Sequence, residues 1–168
     1  MTDALANSAH ATFDAIVALG SNLGDKAGNI ARAIAALTAR GDISLVAASA
    51  NYRTAPWGNT DQDWFVNAAI SVDTTLSPEA LLARCLDVEQ QLGRVRSEKW
   101  GPRVIDLDVI VYREVTMSTP DLVLPHPFMT ERAFVLRPIA DIAPDLVVKG
   151  RTVREWLASL PHDDIVPL

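Results

Sequence analysis

The chain of 168 residues contains a single cysteine, Cys85. An internal disulfide is therefore excluded and the frame must come from packing, in agreement with a reducing compartment. Cys85 falls at an apolar helical position and reads as core. Positive charge is in deficit, with 15 Lys and Arg against 21 Asp and Glu and a net charge of −6. A broad nucleic-acid surface needs the opposite balance, so no nucleic-acid partner is expected. Long apolar runs are also missing. Charge or proline breaks each one well short of the ~18 residues that cross a bilayer. The N-terminus has no basic region followed by an apolar one, so no membrane partner is expected and a cytoplasmic location is implied. Internal repeats, low-complexity tracts and interdomain linkers are absent. What remains is 49% hydrophobic and 21% charged. That composition suits one compact domain over residues 13–168, with a polar, alanine-rich and flexible tail at 1–12.

Residues 13–19 form a short apolar run of strand length, stopped by the turn formers Gly20-Ser21-Asn22-Leu23-Gly24-Asp25. From Lys26 onward Ile30, Ile34 and Leu37 recur at helical spacing. The Gly-Ser-Asn-Leu-Gly turn lacks the ending and glycine spacing of a nucleotide fingerprint and reads as a structural connection. A second strand at 43–52 leads into a loop to Asp63 that Trp57 and Trp64 frame. Residues 64–73 alternate as a third strand, which puts Phe65 and Asn67 on one side. A ring two residues from an amide suits a heterocycle with a donor-acceptor edge; an Asn bonded to nearby backbone is the plainer alternative. Ser77 and Pro78 open a second helix with the stripe Leu81, Cys85, Val88 and Leu92, and Gly93 ends it. Residues 104–112 are a fourth strand, with 119–124 a short partner pairing back against it. His126 is held between Pro125 and Pro127. Thr130 caps a short helix through Leu136, 138–149 is irregular, and Thr152 to Glu155 is a capping box for a last helix to Leu160. The order β, α, β, β, α, β predicts an α+β, ferredoxin-like antiparallel sheet with helices on one face.

The densest chemistry lies at 93–112, GRVRSEKWGPRVIDLDVIVY. Between Gly93 and Arg103 the four cations Arg94, Arg96, Lys99 and Arg103 face one anion, Glu98, which makes a basic loop in an acidic chain. In the strand that follows, Ile105, Leu107, Val109 and Val111 take one face, and Asp106 and Asp108 the other. At about 3.3 Å per residue the two carboxylates attach about 6.6 Å apart, close enough to hold one divalent cation or ligate two. The alternative is a solvated strand face paired with a neighbouring Arg. Aspartate is poorly suited to strands, and two within an apolar run call for a reason. Carboxylates for metal beside guanidiniums for phosphate point to phosphoryl transfer from a metal-bound nucleotide. Two other classes stay open: a metal-dependent nucleotidyl-transfer or nuclease domain, and a non-catalytic ligand-binding module.

Lys99-Trp100-Gly101-Pro102-Arg103-Val104-Ile105-Asp106-Leu107-Asp108-Val109-Ile110 resembles the signature of the 6-hydroxymethyl-7,8-dihydropterin pyrophosphokinases of folate biosynthesis. Ala18 to Gly24, Tyr52-Arg53-Thr54, Asn67-Ala68-Ala69, Gly93 to Arg96, Pro125-His126, Arg132 and Phe134 extend the resemblance over most of the chain. It implies a ferredoxin-like enzyme that transfers diphosphate from ATP to a reduced pterin and releases AMP; a monomer is expected. Two magnesium ions on Asp106 and Asp108 are implied as cofactors. Phe65 and Phe134 would sandwich the pterin. Asn67, with Thr54, Ala55 and Trp57, would read its edge, under a mobile loop carrying Trp100. Arg94, Arg96, Arg103, Val109, His126 and Arg132 would line the nucleotide or the transferred phosphates, with Glu89 nearby and Arg94 and Arg103 acting in catalysis. Ala55, Trp57, Leu86, Val123 and Pro127 depart from common family residues.

Overall fold

The computed structural model describes residues 13–55, 63–93 and 103–168; the expected tail at 1–12 lies outside the described residues. Strand β1 (Ala15–Ser21) runs through the middle of the sheet. It is flanked on both sides by antiparallel neighbours, β4 (Phe65–Thr74) and β5 (Asp106–Tyr112). Strands β2 (Ile43–Ala48) and β3 (Tyr52–Thr54) pair with successive lengths of the outer edge of β4. A C-terminal strand, β10 (Val166–Pro167), then pairs with β3. The crossovers are α1 (Lys26–Thr38), capped by Asp25, and α2 (Pro78–Gln91), capped by Ser77 with Pro78 in its first turn. This is the expected βαββαβ unit.

Period-two alternation divides the sheet between two cores. Val17 and Leu19, with Val66, Ala68 and Ile70, pack under α1 and α2 against Leu37, Leu81 and Cys85. Each Val, Leu or Ile side chain so removed from water contributes about 1.5–3 kcal/mol. Burial pushes the Cys85 thiol up to about 12, so it stays a protonated core residue, as expected. The other face is not left bare. Ile16, Ala69 and Ile110 pack against α3 (Ala133–Ile142) and α4 (Val153–Ala158) through Leu136, Ile139, Val153 and Leu157. The one-face arrangement thus holds for α1 and α2 and not for the C-terminal pair. The 138–149 stretch expected to be irregular is helical as far as Ile142, because the apolar face of Val135, Leu136 and Ile139 is buried and outweighs Pro138 inside the helix.

Three local departures shape the site. The expected 43–52 strand breaks at 49–51, where Ser49 exchanges backbone and side-chain bonds with Ala69. Ile16 pairs with Val111 and Val17 with Val109, which leaves Ile110 as a bulge. Val111 therefore turns into the second core, away from the face of Leu107 and Val109. The 119–124 segment forms no strand against β5; Val123–Leu124 (β7) pairs instead with Met117–Ser118 (β6). A further hairpin, β8 (Val147–Val148) with β9 (Arg151–Thr152), precedes α4, whose capping box at Thr152 and Glu155 is as expected. Among the described residues no helix is long and apolar enough to cross a membrane.

Candidate active site

The register aligns the site in rows across three strands. Asn67 on β4 lies opposite Gly20 on β1, and Gly20 lies opposite Asp106 on β5. The next row along this face is Ala69, Ala18 and Asp108. Small residues of β1 therefore form a floor between an amide on one side and two carboxylates on the other. Neighbouring strands are about 4.8 Å apart, so amide and acid stand about 10 Å apart across Gly20. A Cβ on Gly20 would come 2.8 Å from Asn67 Oδ1 and close that floor.

At the β4 end, Asn67 Nδ2 donates to Thr54 Oγ1 at 2.6 Å, which fixes the amide's orientation. Phe65 stands beside it, opposite Thr54 in the register. Phe134, from the first turn of α3, lines the same cavity with Ala55, Gly20 and Val135. Two rings, an amide and a hydroxyl bound a narrow slot of about 80 Å³. Asp106, Asp108 and Arg103 line its far end.

Beyond the acids the cavity widens into a groove of about 950 Å³ along the outer edge of β5. The groove lies between Leu82, Leu86 and Glu89 of α2 and the 119–122 turn. Arg103 Nη1 donates to Asp106 Oδ2 at 3.1 Å and lines both compartments. Among the described residues no further strand pairs with this edge. Glu89, 2% exposed, accepts from the backbone of Leu107 at 2.7 Å, and His126 N donates to Ile110 O at 2.8 Å. Glu89 thus holds the peptide between the two aspartates. The Val109 side chain is buried in the core under α1 and α2 and lines neither compartment.

His126 Nδ1 accepts from Phe128 N at 3.2 Å, which leaves Nε2 as the donor of the neutral ring. Burial, then the Arg132 cation, lowers its pKa to about 4. Burial also lowers Arg132, opposed by the carboxylates of Asp108, Glu131 and Asp106, and its guanidinium lies 4.9 Å over the Phe128 ring and 5.9 Å over Phe134. Trp57, Arg94, Arg96 and Trp100 lie outside the described residues.

Asn22, which sequence reasoning left inside a merely structural turn, holds the backbone of Arg103 at the site. It is 2% exposed; its Oδ1 accepts from Arg103 N at 2.8 Å, its N donates to Arg103 O at 3.1 Å, and its Nδ2 donates to Asp63 O at 3.2 Å. One buried amide joins the end of β1 to the chain just before β4 and just before β5. Its place inside a motif of turn formers gave no local signal for those long-range bonds.

Among the described residues no three His, Cys, Asp or Glu side chains cluster as a metal cage. The aspartate pair offers oxygen donors at same-face positions, a hard set that suits a cation sharing its shell with water and phosphate. Fold and site thus define a class: an antiparallel α+β domain joining a narrow slot bounded by two rings, an amide and a hydroxyl to a wider acid-lined groove. The family model for 7,8-dihydro-6-hydroxymethylpterin-pyrophosphokinase (HPPK) matches residues 16–144. The 2-amino-4-hydroxy-6-hydroxymethyldihydropteridine pyrophosphokinase of Methylorubrum extorquens is 59% identical over 151 residues, which cover 90% of this chain and 96% of that one. The protein of the same name from Bacillus subtilis is 41% identical over 159 residues, 90% of this chain and 95% of its own. Among solved structures, an HPPK-DHPS in complex with substrates is similar with a TM-score of 0.71 at 14% identity, over 88% of this chain and 43% of that one. Wild-type Plasmodium falciparum HPPK-DHPS with pteroate gives 0.70 at 14%, over 88% and 42%. At that identity the likeness is one of fold, and the chain spans less than half the length of those solved chains. The chain belongs to the 7,8-dihydro-6-hydroxymethylpterin-pyrophosphokinase family.

Proposed function

We infer that this chain carries out the reaction its family is named for, transfer of the pyrophosphoryl group of ATP to the hydroxymethyl group of 7,8-dihydro-6-hydroxymethylpterin in folate biosynthesis. One observation carries the reading. The slot and the groove meet at Asp106, Asp108 and Arg103, so a heterocycle in one can present its hydroxymethyl arm to a triphosphate in the other. Phe65 and Phe134 bind the pterin faces, and Asn67 with Thr54 reads its edge, with Ala55 beside them. Asp106 and Asp108 hold magnesium, two ions by the family resemblance, which when bound offsets the triphosphate's charge. Arg103, Arg132 and the Nε2–H of His126 supply donors to phosphate oxygens. Attack of the hydroxymethyl oxygen on the β-phosphorus forms one O–P bond and breaks the bond to the α-phosphate oxygen. AMP leaves with that oxygen, and the hydroxyl proton passes to solvent. The roles of Trp57, Arg94, Arg96 and Trp100 rest on the family resemblance alone. Glu89 acts on this reading through the β5 backbone, and Val109 can offer a nucleotide only its main chain.

The test is incubation with ATP, magnesium and the reduced hydroxymethylpterin, followed by separation of the nucleotides. AMP formed only when pterin is present is expected. ADP, or AMP formed without pterin, would overturn the assignment.

A further inference from the structure

Helix α3 brings Phe134 to the slot with its first turn, and its last turn carries Asp141. That carboxylate reaches back to the broken edge strand. Its Oδ2 accepts from the Tyr52 hydroxyl at 2.7 Å and from Ala50 N at 3.1 Å, while its Oδ1 accepts from Arg137 Nη1 at 3.0 Å. The Arg137 guanidinium lies 4.7 Å over the Tyr52 ring, which is 3% exposed. A single side chain thus receives a donor from the chain break at 49–51, one from the first residue of β3 and one from its own helix.

The geometry of β3 makes this anchor consequential. The strand has three residues, pairs with β4 only from Tyr52 to Thr54, and delivers Thr54 to Asn67 and Ala55 to the slot. Two residues of β10 support its other edge. So short a strand has few ladder bonds of its own with which to hold a register. The opposite wall, Phe134, sits on a helix whose distance from β3 is set where the two are bonded.

We propose that Asp141 is a positioning residue for the pterin slot: by bonding Tyr52 and Ala50 it fixes the gap between the wall that carries Phe134 and the strand that carries Thr54. It touches no substrate. The proposal rests on the pyrophosphokinase reading for the identity of the slot's ligand, and it predicts a defect confined to one substrate. The acid groove is built on β5, α2 and the 119–122 turn, none of which bonds to Asp141.

The experiment compares wild type, Asp141→Ala, Tyr52→Phe and Asp42→Ala. Asp42 accepts both Arg84 amines at 2.8 and 2.7 Å on the far side of the sheet, so Asp42→Ala removes a stronger ion pair that has no link to the slot. Asp141→Ala is expected to raise the pterin KM about tenfold while KM for magnesium-ATP and kcat stay within about twofold. Tyr52→Phe, which removes one of the three donors, is expected to raise the pterin KM about threefold. Asp42→Ala should lower the melting temperature and leave both KM values alone. An unchanged pterin KM in Asp141→Ala, equal rises for both substrates, or the same rise in Asp42→Ala would overturn the proposal. If Asp141→Ala does not fold, an unchanged pterin KM in Tyr52→Phe does so. Calorimetric binding of the pterin by wild type and Tyr52→Phe reads the slot without turnover. Pterin binding that is weakened by Tyr52→Phe in a protein that makes no AMP would sink the reaction and leave the anchor standing.

Discussion

The slot and the groove are built by different means. In the slot, position comes from neutral contacts fixed within the fold: the 2.6 Å bond of Asn67 to Thr54, the floor at Gly20, and two rings on separate elements. In the groove, side chains of opposite charge crowd one strand edge, with Arg103 bonded to Asp106 and with Asp108 and Glu89 beside them. A rigid, neutral wall selects by shape and by its hydrogen-bonding edge, because a misfit leaves buried polar groups unpaired. A charged edge selects by total charge and tolerates rearrangement of its donors.

Mutations should separate the two ends. The largest effect is expected at the acid pair: Asp106→Ala or Asp108→Ala should cut kcat by about three orders of magnitude, since each removes charge stabilisation at the reacting phosphates. Melting temperatures should move little, because both residues sit on a half-exposed face. Near-normal turnover in both variants would remove the metal role. Phe134→Ala or Asn67→Ala should next raise the pterin KM by about 10- to 100-fold with KM for ATP unchanged, since a ring contact or a half-buried, hydrogen-bonded amide contributes about 1–3 kcal/mol. A change confined to ATP would exchange the two ends of the cavity.

Glu89 sharpens the contrast, since it lines the groove yet bonds backbone. Glu89→Ala should cost about 1–3 kcal/mol in denaturant unfolding, because the Leu107 N–H loses its buried acceptor, while Glu89→Gln, which keeps an acceptor, should cost less. An equal loss in both variants would show that the charge matters and the bond does not. The smallest effect concerns pH. The folded-state pKa of His126 lies near 4, below its ordinary 6.5. As pH falls below 6.5 the unfolded chain takes up the proton first, so His126 contributes stability that is present above 6.5 and lost on the way down to about 4. Melting temperatures recorded across that window should fall less steeply in His126→Gln; parallel curves would mean that His126 is not the titrating group.

Much of this could be read along the chain. Ser77 and Thr152 announced their helices, because a cap needs only the next three residues, whereas Thr130, expected to cap the helix that follows it, lies in a 3-10 turn and the helix starts after Arg132 without a side-chain cap. The pairing of Phe65 with Asn67, and of Asp106 with Asp108, followed from period two. Other features depended on distant partners. Helix α3 continues past Pro138 because its apolar face is buried against β1 and β4. The 43–52 strand breaks because Ala69 and Asp141 satisfy the backbone at 49 and 50. The Ile110 bulge reverses Val111, and no local pattern marks the extra residue.

By itself, then, the sequence determined the βαββαβ order, the side chains that share a face along most of each strand, and that two carboxylates follow Arg103 on one strand face. These properties repeat every two or 3.6 residues and are set by neighbours in the chain. Only the tertiary structure decided that β1 separates the wall of Phe65 and Asn67 from the acid pair, that Gly20 opens the floor between them, and that Asn22, Glu89 and Asp141 are bonded across the fold. Register and adjacency arise when segments 40 to 90 residues apart pair and bury surface together, as Asn22 does with Asp63 and Arg103 and Tyr52 with Asp141. That outcome belongs to the whole sheet and to no single stretch of chain.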